Sequence, residues 1–508
     1  MLLRDLVATS AAVTETSGRL QKIERLADLL ARVPGEEIET AVAFLSGRVR
    51  QGRLGVGYRA ISTASDVAPH DDAVLALPEL DATFAELADL GGKGSAAERG
   101  QALRRLFSRA TAGEQDFLRR LLYGELRQGA LEGVLVEAVA RAARVGAGRL
   151  RRAAMLAGDL GPVARAALTS GDSALDAFVV RLMRPIQPML AESEESVEAA
   201  LDQLGDATLE YKLDGARIQV HKSNDDVRIF SRTLRDVTEA APEVVEMVRA
   251  LPARELILDG EVIALRPDGR PQPFQVTMRR FGRTRDVARS RSELPLTPFF
   301  FDCLYADGTI LLDEPQERRV AALHDLAAAV AVPRVVRPTR DAALAFAREA
   351  IERGHEGVMA KSLAAPYAAG RRGAAWLKVK QARTLDLVVL AAEWGHGRRR
   401  GWLSNLHLGA RDPEHHAFVM LGKTFKGMTD EMLTWQTEHL LRLEIGRDAY
   451  TVHVRPELVV EVAFNEIQES PVYPGGLALR FARVKRYRTD KTAADADTID
   501  AVRALANW

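Results

Sequence analysis

Residues 207–220, ATLEYKLDGARIQV, decide how this chain is read. Ala207 to Tyr211 is apolar enough for a strand, yet Lys212 closes the run and Leu213-Asp214-Gly215 turns the chain. A lysine between apolar neighbours is uncommon, because its charge seeks water. Held at a strand-to-turn exit, it can project into a pocket. There, cationic neighbours, a metal or desolvation favour the neutral amine, which is a nucleophile. On these four residues alone, a surface lysine in a turn is the commoner use.

Spaced partners change that balance. Arg217 follows five residues on, and Arg232 sits in FSRTLRD after the next strand-like run. Glu261 interrupts ELILDGEVIAL, where an acid is costly unless it meets a cation or a ligand donor. Phe301, in FFFDCLY, could stack on a base, although core packing is the commoner role of phenylalanine. Glu356 precedes a glycine in GHEGVMAKS, and Lys378 and Lys380 alternate in WLKVK, so both point to one strand face. Basic residues on one face beside paired acids suit a triphosphate and a divalent metal.

Bulk properties bound the rest. With 508 residues, two to four domains are expected. The 47% apolar and 28% charged content is ordinary for a soluble globular protein. No apolar run approaches the roughly 20 residues of a membrane span. The first residues lack a signal-peptide core, which predicts a cytoplasmic protein. A single cysteine, Cys303, excludes internal disulfides and a four-cysteine zinc site. Basic and acidic residues number 70 each, so any nucleic-acid surface must come from local clustering.

Texture divides the chain in three. Residues 1–170 read as helices, with apolar positions three and four apart, as in LYGELRQGALEGVLVEAVARAARV. Within them, Glu98 to Arg152 carries twelve arginines against six acids. Solvated helix faces are the plain explanation; a phosphate-gripping surface is the functional one. After RLMRPIQPMLAES, residues 181–385 turn to short β-like runs with helices between them, an α+β domain on antiparallel sheets. Residues 386–508 alternate in short strands around one helix, which fits a small barrel of the OB kind.

With these motifs in order, the chain resembles an ATP-dependent DNA ligase of the three-domain archaeal and eukaryotic type. That family lies within the covalent nucleotidyltransferases, which are recognised by KxDG. KLDGAR, SRTLRD, LDGEVIAL, FFFDCLY, HEGVMAKS and WLKVK follow the family's motif order, and LALRFARVKRYRTDK resembles its last motif. AFLSGRVRQGRLGVG and LLYGELRQGALEGVL resemble its helical DNA-binding domain, so the likeness spans essentially the whole chain. VKRYRTDK departs from the family, in which many relatives have a shorter basic spacing before Asp-Lys.

The resemblance implies an all-α DNA-binding domain, an adenylation domain and an OB barrel that together encircle DNA. Lys212 would attack the α-phosphate of ATP to form lysyl-AMP. The AMP would then pass to the DNA 5′-phosphate and leave when the 3′-hydroxyl attacks. The product would be a sealed nick, as replication, repair or recombination requires. Glu210 would bond the adenine amino group, while Arg217, Arg232 and Arg372 would contact the nucleotide. Phe301 would stack on adenine, and Lys378 and Lys380 would neutralise phosphate. Glu261 and Glu356 would serve Mg²⁺ or Mn²⁺, with Glu261 alternatively on the ribose. Arg483, Arg488 or Lys491 would orient pyrophosphate, and Asp386 is a hinge candidate. The implied partner is nicked double-stranded DNA met by a monomer, nucleoid-associated if the source is bacterial or archaeal. An RNA ligase or capping-type enzyme is the alternative, disfavoured by the helical domain. A silent DNA-binding scaffold is disfavoured by Lys212, Glu261, Glu356, Lys378 and Lys380.

Overall fold

The fold is that of a computed structural model. It describes residues 1–92, 94–126, 132–283, 285–369, 372–380, 383–396 and 399–506, the side chains of 372–374 excepted. Its N-terminal part holds ten α-helices among the described residues, from Leu3–Glu15 to Leu160–Ser170. Helix Glu132–Ala143 buries Val134, Leu135, Ala138 and Val139, and packs against helix Arg19–Leu30 through Ile23, Leu26 and Leu30. The apolar spacing of three and four that marks these segments therefore forms the core. Helix Ala112–Tyr123 starts at a Thr111–Glu114 capping box and stops at left-handed Gly124, which fixes its ends by local chemistry.

The middle part contains two five-stranded sheets. The first runs, in order, Leu190–Glu194, Arg372–Lys380, Gly357–Ser362, Ala207–Lys212 and Arg334–Val336. Its pairs are antiparallel except the first, where Leu190–Glu194 lies parallel to Arg372–Lys380. That edge strand enters from the helical part instead of through a hairpin, so nothing forces it to run antiparallel. The second sheet is antiparallel throughout: Asp226–Ser231, Ala216–Ser223, Glu255–Ala264, Leu296–Ala306 and Thr309–Ile310.

Period-two alternation divides the first sheet into a greasy face and a charged one. Leu209, Tyr211, Val358, Ala360, Leu377 and Val379 join a core with helix Arg340–Glu352. Glu210 and Lys212, Met359 and Lys361, and Trp376, Lys378 and Lys380 therefore share the opposite face. The second sheet sends Ile218, Val220, Leu258 and Val262 into its own core.

Beneath the second sheet, Arg319 and Asp302 form a fully buried pair, Nε donating to Oδ1 at 2.7 Å. Arg319 Nη1 also donates to the carbonyls of Glu314 and Ala365. Truncating one partner strands the other charge in a site closed to water. Arg319→Ala is expected to cost about 3–5 kcal/mol, read as a lower denaturant midpoint at unchanged m-value.

The C-terminal part is a curled sheet of seven strands with the OB arrangement. Its long strand, Arg383–Trp394, pairs with Val459–Phe464 along its first half and with Thr451–Val454 along its second. One strand feeding two partners bends the sheet toward closure. Helix Asp430–Arg442 packs on it through Leu433 and Leu440. No helix among the described residues is long and apolar enough to cross a membrane.

Candidate active site

The charged face of the first sheet and the polar side of the second enclose a cavity of about 830 Å³, roofed by the C-terminal barrel. Lys212 stands at the end of its strand, where Leu213 and Asp214 break the pairing. Gly215 must then pass against the second sheet. A Cβ there would lie 2.2 Å from the Val262 carbonyl oxygen, so only glycine fits the turn.

Lys212 forms an ion pair with Glu356, whose Oε1 also accepts from Lys380 Nζ at 2.7 Å. The register places Lys212 opposite Gly357 and Gly357 opposite Lys380, so the two lysines flank one carboxylate by strand geometry alone. Burial pulls the Lys212 ammonium down, but Glu356, Glu261 and Asp214 outweigh it and hold its pKa above the ordinary value. Burial works against the Glu356 carboxylate, yet the charges of Lys212 and Lys380 keep its pKa below the usual range. Burial pushes Glu261 up to about 7, opposed by Lys212, Arg217 and the Gly215 amide, which donates to Glu261 Oε1 at 3.1 Å.

Arg217 lines the cavity, but its guanidinium is anchored. It meets Asp259 through Nε at 3.1 Å and Nη2 at 2.7 Å, and Nη1 donates to the Met189 carbonyl. Tyr367 donates to the same Asp259 at 2.6 Å, which locks the rotamer further. Glu210, Arg232, Glu261, Phe301, Lys378 and Lys380 also line this space. Arg372 lies on the strand beside it, with its side chain outside the described residues.

The last motif splits. Arg483 reaches the cavity, but Arg488 and Lys491 do not line it. Asp386 binds both, Arg488 Nη1 at 2.8 Å and Lys491 Nζ at 2.6 Å. Of the three, Arg483 alone lines the cavity in this arrangement. The other two are drawn to the acid at the start of the barrel.

Residues that the motifs did not single out also build the site. Arg480 crosses from the barrel, donating to Asp214 Oδ2 at 2.7 Å while its guanidinium stacks 3.7 Å over the Phe274 ring. Burial and Glu356 push Asp214 up to about 6, with Arg480 and Lys212 opposing. Protonation below that value removes the charge from the Arg480 contact, so domain closure is expected to loosen as pH falls through about 6. Small-angle scattering across pH 5–8 reads this as a larger radius of gyration on the acid side. Met359 and Lys361 line the cavity from the strand after Glu356. Their period-two spacing from Gly357 was the available signal.

The family model for the ATP dependent DNA ligase domain matches residues 188–380. The models for the ATP dependent DNA ligase C terminal region and the DNA ligase N terminus match 399–491 and 56–140. A probable DNA ligase of Anaeromyxobacter sp. (strain Fw109-5) is 60% identical over 508 residues, covering 99% of this chain and 98% of that one. A probable DNA ligase of Sorangium cellulosum (strain So ce56) is 59% identical, covering 99% and 95%. Among solved structures, Pmar-Lig_PreS3 superposes with a TM-score of 0.62 at 18% identity, over 95% of this chain and 99% of that one. At that identity the likeness speaks for the fold alone.

Proposed function

The chain belongs to the ATP-dependent DNA ligase family, whose members form phosphodiester bonds in DNA, and on that premise we propose that it seals nicks in duplex DNA with Lys212 as its nucleophile. The observation that carries this reading is Lys212 projecting into the cavity between the two sheets, paired with Glu356. Its amine attacks the α-phosphorus of ATP. A P–N bond forms, the bond to the bridging oxygen breaks, and pyrophosphate leaves. The DNA 5′-phosphate then takes the AMP from Lys212, and attack by the 3′-hydroxyl expels it.

Phosphoryl transfer depends on positioning and charge neutralisation more than on proton transfer. Lys378, Lys380 and Arg232 supply positive charge along one side of the cavity, and Arg217 does so from a rotamer fixed by Asp259. Phe301 offers a ring to the base and Glu210 an acceptor for its amino group; Arg372 joins the nucleotide contacts. Arg483 faces the leaving pyrophosphate. Arg488 and Lys491 would join it only if Asp386 released them, which agrees with Asp386 acting as a hinge.

Glu356 and Glu261 present carboxylate oxygens to the same space, the hard-donor chemistry that Mg²⁺ or Mn²⁺ takes. Among the described residues no group of three His, Cys, Asp or Glu side chains makes a ready cage. A Mg²⁺ held by these carboxylates would take its other ligands from water and phosphate. When bound, the ion would neutralise phosphate charge and favour the uncharged amine of Lys212.

We assign residues 1–170 to duplex gripping, 181–385 to adenylation and 386–508 to the mobile barrel, in a monomer working in the cytoplasm. The test is sealing of a nicked duplex with ATP or NAD⁺, with DNA or RNA strands at the nick. Sealing of DNA with ATP supports the reading. Preference for RNA strands, or a GMP adduct in place of AMP, would favour the RNA-ligase or capping alternative. Arg480→Ala removes the contact holding the barrel over Asp214 and is expected to slow adduct formation about tenfold. Joining of a pre-adenylated nick should change much less, because that step needs no closure over ATP.

A further inference from the structure

On the cavity floor lies a charge cluster that the chemistry at Lys212 does not use. Lys361 is 1% exposed, and its Nζ lies 2.6 Å from Glu210 Oε2. This ammonium sits in the corner of two perpendicular rings, with the Phe301 and Trp376 centroids 4.4 and 4.2 Å away. Arg334, opposite Glu210 across the strand pair, brings Nη2 to 3.4 Å from Glu210 Oε1 and donates to the Phe301 carbonyl at 3.4 Å. Glu210 is itself only 1% exposed, and its Oε1 is buried without a hydrogen bond. Because Glu210 also lines the cavity, this acceptor is within reach of a donor on a bound ligand.

We propose that Lys361 and Arg334 are specificity-determining positioning residues: they compensate the charge of Glu210 and leave its Oε1, ion-paired with Arg334 but accepting no hydrogen bond, for an amino group at the purine 6-position. The inference rests on the reading that the base of ATP enters this cavity. A carboxylate held in that way attracts a 6-amino group and repels a 6-oxo group, so one pair of cations sets the choice between adenine and guanine or hypoxanthine. The aromatic corner fixes where Lys361 can stand. Phe301, which would stack on the base, also packs on Lys361, so base stacking and base reading share one support. Without Lys361, the carboxylate loses its counter-charge and must turn toward another donor, and this acceptor disappears.

The test compares Lys212 adduct formation with three nucleotides: ATP, inosine triphosphate (6-oxo) and purine riboside triphosphate (hydrogen at position 6). The proteins are the full chain and its Lys361→Met, Lys361→Arg and Arg334→Met variants. For Lys361→Met the ATP-over-inosine preference should fall at least tenfold, through a raised KM for ATP at similar kcat. Use of purine riboside triphosphate, which offers Glu210 nothing to read, should stay within about threefold. Lys361→Arg should restore most of the preference. Arg334→Met, at a less buried site, should shift it in the same direction and carries the test if Lys361→Met does not fold. An unchanged ATP-over-inosine ratio, or equal losses with all three nucleotides, overturns the inference. Failure of the unaltered protein to form any adduct at Lys212 would instead overturn the reading on which it rests.

Discussion

Lys212→Ala is expected to abolish the covalent AMP adduct and to cut sealing of an ordinary nick by at least about 10⁴-fold. The cavity holds other lysines, and the two beside Glu210 and Glu356 are held in place. Lys361 is walled in by two rings, and Lys380 is tied to the far oxygen of Glu356. Lys212→Arg should fail equally, since a guanidinium stays protonated and offers no nucleophile. The variant should still join a nick that already carries 5′-AMP, because that step uses the DNA 3′-hydroxyl. Loss of both activities would mean that Lys212 serves the whole site and not one bond. The pH profile adds an independent readout. Glu356, Glu261 and Asp214 outweigh burial and hold the Lys212 pKa above its ordinary value, so the neutral amine is the minor form at neutral pH. Adduct formation at saturating ATP should therefore rise with pH, by up to about tenfold per unit while the ammonium dominates.

Alternation along short strands made much of the site legible in the sequence. Glu210 with Lys212, and Lys378 with Lys380, could be placed on one face each by counting in twos. The strand register then brings both faces around Glu356. What could not be read was contact across domains. Arg480 sits in the strand Leu477–Arg480, and nothing local says that it reaches Asp214, 266 positions earlier. Asp259, two residues before Glu261, is a second acid in the same apolar strand. Its work is to hold Arg217, which only the pairing of Ser223–Ala216 with Glu255–Val262 shows. The arginine-rich run from Glu98 to Arg152 left two readings open, because sequence gives charge without partners. Arg105 and Arg109 pair with Glu86 and Glu79, Arg119 and Arg120 with Asp116, and Arg141 with Glu24. Arg149, Arg151 and Arg152 are paired as well. Most of that run is solvated, neutralised helix surface.

The grip on DNA is then better sought in residues 46–57, just ahead of helix Tyr58–Ala64. Leu54 is buried in the helical core, and Gly55 turns there with φ +67 against the Arg99 guanidinium, so the segment is anchored. Arg48, Arg53 and Arg59 stand exposed on and beside it, and none has an ion pair among the described residues. Three uncompensated guanidiniums on a fixed loop are what phosphate contacts require. The triple variant Arg48→Glu, Arg53→Glu, Arg59→Glu is expected to lower sealing kcat/KM about 100-fold at ~0.15 M salt. The slope of log binding against log salt should flatten by about three, one for each lost phosphate contact. Adduct formation at Lys212 should stay within twofold to threefold, since no residue of the loop lines the cavity. Equal loss of adduct and sealing would show that the helical domain supports the fold of the catalytic part. An unchanged salt slope would move the DNA-binding face elsewhere on the molecule.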